Sequence, residues 1–192
     1  MSKDFLKSSI DFVIAWVDGD DPVWLAEKSK YRSNARLEDD SKTRYRDWDN
    51  LRYWFRAVEK YAPWVGNIYF VTWGHIPAWL NVQHPRLHVV RHEDYIPHKY
   101  LPTFNSHTIE LNFHRIPGLS EQFVYFNDDV LLTGPCAPED FFRDGMPVDC
   151  GCLNAINGKD PVFAGIQFHN MALMNEHYDI GAVRAHLWKW LN

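Results

Sequence analysis

The sequence predicts an α/β fold, a mostly parallel sheet flanked by helices. Short apolar runs recur at residues 10–16, 67–72, 87–91 and 122–126 and read as buried strands. Segments with apolar residues at helical spacing lie between them. The resulting order of strand, helix, strand, strand, helix, strand is that of a sheet whose connections cross over its faces. The 192 residues are 46% apolar and 23% charged, a globular composition that excludes extensive disorder, collagen and coiled coil. No run of 18 apolar residues occurs, so no spanning helix is expected.

Each element follows from local chemistry. Residues 10–16 (IDFVIAW) run into the turn-forming VDGDDP, so the first strand stops at Trp16. Pro22 suits a first helical turn and Asp20 or Asp21 can cap it, which predicts a helix over 23–30. Residues 31–46 are polar and without periodicity and read as a loop. Asp47 or Asp49 opens a second helix over 50–61, with Leu51, Trp54, Phe55 and Val58 at helical spacing and Pro63 as the stop. The second strand is 67–72 (NIYFVT), 77–81 is a short helical turn, and 87–91 (LHVVR) is the third strand. A loop with Pro97 and Pro102 fills 93–104. Asn105 or Ser106 caps a third helix through Arg115, closed by Ile116, Pro117 and Gly118. The fourth strand, 122–126 (QFVYF), leads at once into Asn127, Asp128 and Asp129. Farther on, 138–143 reads as one helical turn, 150–155 as an edge strand, and 171–177 and 182–191 as helices. With no repeat or linker, 1–192 reads as a single domain.

Twenty basic against 25 acidic residues leave a net charge of −5, which argues against a general nucleic-acid binder. Cys136, Cys150 and Cys152 cannot all pair, and a reducing compartment is the simpler reading. The opening MSKDFLKSSI lacks the apolar stretch of a secretory signal. Nine Trp suit carbohydrate handling, although core and rim packing accounts for most aromatics. Walker, GxGxxG, GxSxG and CxxC motifs are all missing, so the classes that depend on them lack support.

Ligands of parallel sheets sit beyond the carboxyl ends of the strands. That rule gathers on one edge Asp18, Asp20 and Asp21, then Thr72 and Gly74, then Glu93 and Asp94, then Asp128 and Asp129. Adjacent carboxylates repel unless a cation or solvent relieves them. A hard divalent ion such as Mg²⁺ takes one or two carboxylates together with substrate phosphates. A plain Asn-Asp turn is the competing reading of 127–129. The Asp18-Gly19-Asp20-Asp21 loop either lets a ligand approach the backbone at Gly19 or is a turn capped by an Asp. His107, Glu110 and His114 are spaced near one helix face, either as a solvated Glu–His pairing or as a carboxylate base or metal ligand with His support. Arg44, Arg46 and Arg52 either hold phosphate or pair with Asp47, Asp49 or Glu59. Lone histidines such as His75, His84 and His98 are assigned no role.

IDFVIAWVDGDDPVW resembles the first block of the Stealth proteins. RDWDNLRYWFRAVEKYAPWVGNIYFVTWGHIPAWLN, continued by HEDYIP and LPTFNSHTIELNFHRIPGLSEQFVYFNDDVLL, resembles their second and longest block, and the two together cover residues 10–143. The resemblance implies a nucleotide-sugar transferase-like core, Rossmann-like or GT-A-like. It implies transfer of hexose-1-phosphate from a UDP-sugar to a hydroxyl of a glycan acceptor, releasing UMP, in capsular or exopolysaccharide synthesis. Catalytic roles are implied for Glu110 in TIELNFH and for Asp129, the second aspartate of NDD. Trp16, Asp18, Gly19 and Asp21 of the first block, with Arg52 of the Leu51-Arg52-Tyr53 motif, would bind the donor. Asp128 and Asp129 would hold Mg²⁺ or Mn²⁺. Whether Glu110 is base, metal ligand or support stays open.

The implied partners are the UDP-sugar and the glycan acceptor, with no nucleic acid and no transmembrane segment. Peripheral membrane association is compatible with them, and the expected location is the cytoplasm, at the inner face of the membrane. Third and fourth family blocks, which supply a His and an Arg, have no copy before Asn192. The expectation is therefore a single partial catalytic domain over 1–192, with first-block residues 10–30, second-block residues 44–143 and an extension over 144–192. Two alternatives come from other classes. One is a metal-dependent phosphoesterase with water as nucleophile; the other is a non-catalytic carbohydrate-binding module with a Trp-rich surface.

Overall fold

The computed structural model describes residues 9–31, 45, 47–149 and 161–177. Met1–Val148 form one compact unit and Asp149–Asn192 a second. In the first unit β1 (Asp11–Trp16), β2 (Ile68–Thr72), β3 (Leu87–Arg91) and β4 (Phe123–Phe126) make a four-stranded sheet in the order β3-β2-β1-β4. Every pairing in it is parallel, so the mostly parallel sheet expected from the sequence is present. From β1 the chain moves outward through β2 and β3, then returns to the other side of β1 as β4. Connections diverge at β1, which makes its carboxyl end a switch point of the kind where ligands bind.

Side chains alternate across β1, as the period of two in a strand requires. Phe12, Ile14 and Trp16 enter one layer with Phe70, Phe126 and helix α2 (Leu51–Tyr61). Leu51, Trp54 and Val58 recur on the buried face of α2, and Trp54 is wholly enclosed against the rings of Phe12, Phe55 and Phe126. Large apolar side chains buried in this way contribute roughly 1.5–3 kcal/mol each. Val13 enters the opposite layer with Tyr69, Val71, Val90, Tyr95, Ile96, Phe113 and Ile116.

At the amino end of the sheet Asp11 is wholly buried. Its Oδ1 accepts from the Asn67 N–H at 2.8 Å and its Oδ2 from the Ser120 N–H at 2.9 Å. These charge-assisted bonds offset the cost of burying the carboxylate and join the start of β1 to the approaches of β2 and β4.

Several local expectations are corrected. The stretch 93–104 is not a plain loop: helix α3 (His92–Tyr95) follows β3 directly, and a 3₁₀ turn covers His98–Tyr100. Asp94 Oδ2 accepts the Arg91 N–H at 2.7 Å and so closes the first of these turns. The third predicted helix ends early. Asn105 caps α4 (Ser106–Leu111), and a separate 3₁₀ turn, Phe113–Arg115, succeeds it. The Asn112 side chain donates to the Thr108 carbonyl at 2.8 Å at this break. Within 138–143 only Pro138–Asp140 is helical. Beyond it β5 (Phe142–Arg143) pairs antiparallel with β6 (Met146–Pro147) around Asp144 and Gly145, whose φ values of 53° and 79° suit a two-residue Asp-Gly hairpin.

In the second unit, helix α5 (Pro161–His177) contains the predicted 171–177 and begins earlier. The readings over 32–44, 150–155 and 182–191, with Cys150 and Cys152, lie outside the described residues. Cys136 is a free thiol. Among the described residues no helix is long and apolar enough to cross a membrane.

Candidate functional site

Parallel pairing puts the carboxyl ends of all four strands on one edge. After β1 the chain turns through Asp18, Gly19, Asp20 and Asp21 into helix α1 (Pro22–Lys30). Asp21 is its cap: Oδ1 accepts from the Val23 N–H at 2.7 Å and the Trp24 N–H at 2.9 Å. The Trp24 amide, joined by the Val23 amide, holds the Asp21 carboxyl below the usual carboxylate range. Asp18 Oδ1 accepts from the Asp20 N–H at 3.0 Å and tightens the same turn. A Cβ at Gly19 would lie 2.0 Å from the Tyr45 carbonyl oxygen. The close approach expected at Gly19 is therefore made by the chain itself.

A second group forms where β4 ends. The Tyr125 hydroxyl lies 2.6 Å from Asn127 Oδ1 and 3.3 Å from Glu110 Oε1. It has one proton, and the shorter contact takes it. Burial pushes the Tyr125 phenol well above its ordinary range, reinforced by the charges of Glu110, Asp128 and Asp129. Carboxylates from α4 and from the turn after β4 thus act on a single hydroxyl. Burial also raises the Asp128 carboxyl, and Asp129 and Asp47 add to the shift.

Among the described residues no three His, Cys, Asp or Glu side chains form a ready-made metal cage. A cation held by two carboxylates and completed by substrate phosphates needs none. The crowding of Asp129 and Asp47 against Asp128, with no ion pair to either Asp128 or Asp129 among the described residues, suits a site that accepts positive charge.

Trp16 spans the two groups. Its Nε1–H donates to Asp47 Oδ2 at 3.3 Å, and its ring meets the His75 ring edge-on at 5.2 Å between centroids. The indole also stacks on Phe70 and is buried, so it braces the edge from within the core. Arg52 Nη2 bonds both Asp49 oxygens, at 2.7 and 3.0 Å, so the pairing alternative holds for it in this structure. Arg44 and Arg46 lie outside the described residues. The one-face arrangement of His107, Glu110 and His114 is not realised. His114 follows the end of α4, both histidines are exposed, and Glu110 Oε1 instead lies 3.3 Å from the Tyr125 hydroxyl.

Four residues of this edge escaped sequence reasoning: Asp47, Tyr125, His75 and His92. Asp18 donates its backbone N–H to His75 Nε2 at 2.8 Å, and His75 Nδ1 lies 3.5 Å from Asp21 Oδ2. Burial, aided by the nearby His75, lowers His92 to about 4. His75 lies three residues past β2 and His92 directly follows β3. The strand-end rule applied to histidines as well as acids would have found both.

Residues 44–148 match the family described as Stealth protein CR2, conserved region 2, and residues 8–36 match Stealth protein CR1, conserved region 1. A capsular polysaccharide phosphotransferase, WcwK, from Streptococcus pneumoniae is 48% identical over 189 residues, which cover 96% of this chain and 56% of that protein. The capsular polysaccharide phosphotransferase eps5J of Streptococcus thermophilus is 44% identical over 187 residues, covering 95% and 78%. The exopolysaccharide phosphotransferase cps2G of Lactiplantibacillus plantarum is 44% identical over 185 residues, covering 95% and 54%. The chain thus spans about half the length of the first and third of these relatives. The two conserved regions supply all four strands of the sheet and every residue of its acidic edge, and the chain belongs to the Stealth protein family.

Proposed function

We propose that this chain carries the donor-binding part of a sugar-1-phosphate transferase. The enzyme moves hexose-1-phosphate from a UDP-sugar to a hydroxyl of a glycan acceptor during assembly of a capsular or exopolysaccharide. The supporting observation is the gathering of Glu110, Asp128 and Asp129 around Tyr125 at the carboxyl edge of the sheet. The three relatives, all named phosphotransferases, point the same way.

In the reaction the acceptor oxygen bonds to the β-phosphorus, and the bond from that phosphorus to the bridging oxygen breaks. UMP leaves with the electron pair, and the acceptor proton passes to a base. Such transfers depend on positioning and on offsetting charge. Glu110, half-buried and facing Tyr125, is the base or orients the acceptor hydroxyl. Asp128 and Asp129 would hold Mg²⁺ or Mn²⁺, whose charge offsets that of the diphosphate. The loop with Asp18 and Asp21 borders the nucleotide. Gly19 and Trp16 shape that border from behind, and Arg52 exchanges Asp49 for a phosphate oxygen. The same reading places the reaction in the cytoplasm, against the inner face of the membrane.

Incubating the full-length protein with a panel of UDP-sugars, acceptor glycan and Mg²⁺, then weighing the products, tests this. The expected result is an acceptor heavier by one hexose phosphate, with an equal amount of UMP. Release of UDP, or free sugar phosphate with the acceptor unchanged, would reject the transfer.

A further inference from the structure

His75 is held at both ends of its ring by the loop after β1. The Asp18 backbone N–H can only donate, and it meets Nε2 at 2.8 Å. Nε2 therefore presents its lone pair, and the proton of the neutral ring sits on Nδ1. Nδ1 is buried, faces Asp21 Oδ2 at 3.5 Å, and makes no hydrogen bond of ordinary length. The rings of Trp16 and Trp73 flank the imidazole, at 5.2 and 6.0 Å between centroids. The His75 carbonyl accepts from Thr72 Oγ1 at 2.8 Å, which fastens the residue to the end of β2. One imidazole thus joins the end of β2 to both acids of the neighbouring loop.

We propose that His75 is a positioning residue for donor binding: its neutral Nδ1–H tautomer holds the Asp18–Asp21 loop in shape, and a proton on Nε2 releases it. This rests on the reading that the loop borders the UDP-sugar. A proton on Nε2 would point an N–H at the Asp18 N–H, and the bond between them cannot persist. The charged groups that act on the ring are Asp18 and Asp21 from the β1 loop, and the ring in turn acts on His92 of α3. Burial lowers His75 below the ordinary imidazole value, against the opposing pull of Asp21 and Asp18. The ring is neutral at pH 7 and the loop is held. As the pH falls the hold is lost.

Two variants separate the hydrogen bond from the bulk of the ring. In His75→Gln the side-chain oxygen reaches the place of Nε2 and accepts the same N–H without titrating. In His75→Ala nothing accepts it. The experiment measures donor KM and kcat for the full-length wild type and both variants between pH 5 and 8, with imidazole ¹⁵N and Asp18 amide NMR signals followed over the same range.

His75→Ala is expected to raise donor KM about tenfold at pH 7, as loss of one such bond does, with little change in kcat. Wild-type KM is expected to climb as the pH falls, and His75→Gln to keep a low KM and lose that acid limb. The NMR signals should show a bare Nε2 at neutral pH and an Asp18 amide that titrates with the ring. An Nε2–H tautomer, equal behaviour of the Gln and Ala variants, or an unchanged KM in His75→Ala would overturn the proposal. A full-length protein that turns over no UDP-sugar would defeat the donor reading instead, and the NMR signature would then decide the hold on its own.

Discussion

Asp11 and Asp128 carry the same side chain at opposite ends of the sheet and meet opposite fates. Asp11 is enclosed and satisfied by backbone N–H groups of Asn67 and Ser120, which makes it a clamp. Asp128 is half-buried among carboxylates. Asp11→Ala leaves two donors without their acceptor and is expected to destabilise the fold by about 2–4 kcal/mol in urea unfolding. Glu110→Gln is expected to lower kcat at least tenfold in full-length protein with donor KM little changed. A pure rise in KM would move Glu110 to the donor-binding shell. His92 gives a pH dependence of stability. The unfolded chain protonates this ring near its ordinary value of about 6.5, the folded one only near 4, so folding favours the neutral form. Its contribution is complete above the ordinary value and lost as pH falls toward 4, by at most about 3 kcal/mol. His92→Gln should flatten the stability profile across that window in denaturant titrations at stepped pH. The acids that directly follow the strands were legible in the sequence because carboxylates at strand ends are conspicuous; Asp47, which follows no strand, was not. His75 was not, because its role depends on which ring nitrogen meets a backbone N–H in space.

Among the elements, α2 shows how far periodicity reaches. The recurrence of Leu51, Trp54 and Val58 marked both the helix and its buried face. Trp54→Ala is expected to cost about 3–5 kcal/mol. Trp54→Phe is expected to cost much less, about 1–2 kcal/mol, because the buried indole N–H has no hydrogen-bond partner and its removal relieves a penalty. Thermal unfolding of the pair checks this. The Asp18–Asp21 loop has a comparable constraint. Gly19→Ala forces a methyl against the Tyr45 carbonyl and should raise donor KM more than it lowers melting temperature. Short elements were where sequence reasoning fell short. Side-chain-to-backbone bonds from Asp94, Asn105 and Asn112 set the limits of α3 and α4, and apolar periodicity carries no record of them.

Across the whole molecule, the sheet order β3-β2-β1-β4 makes the site possible. The apolar runs and the crossover rule predict a parallel sheet, and the common edge follows from it. Sequence did not reveal how the edge is braced. Trp16 runs from Asp47 to His75 inside the core. Burial of that ring depends on Phe70 from another strand, which spacing along one segment does not display. The most direct test of the convergence is Mn²⁺ binding to full-length protein, followed by electron paramagnetic resonance with and without UDP-sugar, in wild type and in Asp129→Asn. Convergence at the edge predicts that donor and cation bind the wild type cooperatively, and that the variant, still folded, loses both that cooperativity and sugar-phosphate transfer. Wild-type cation binding, donor binding and turnover in Asp129→Asn would contradict it.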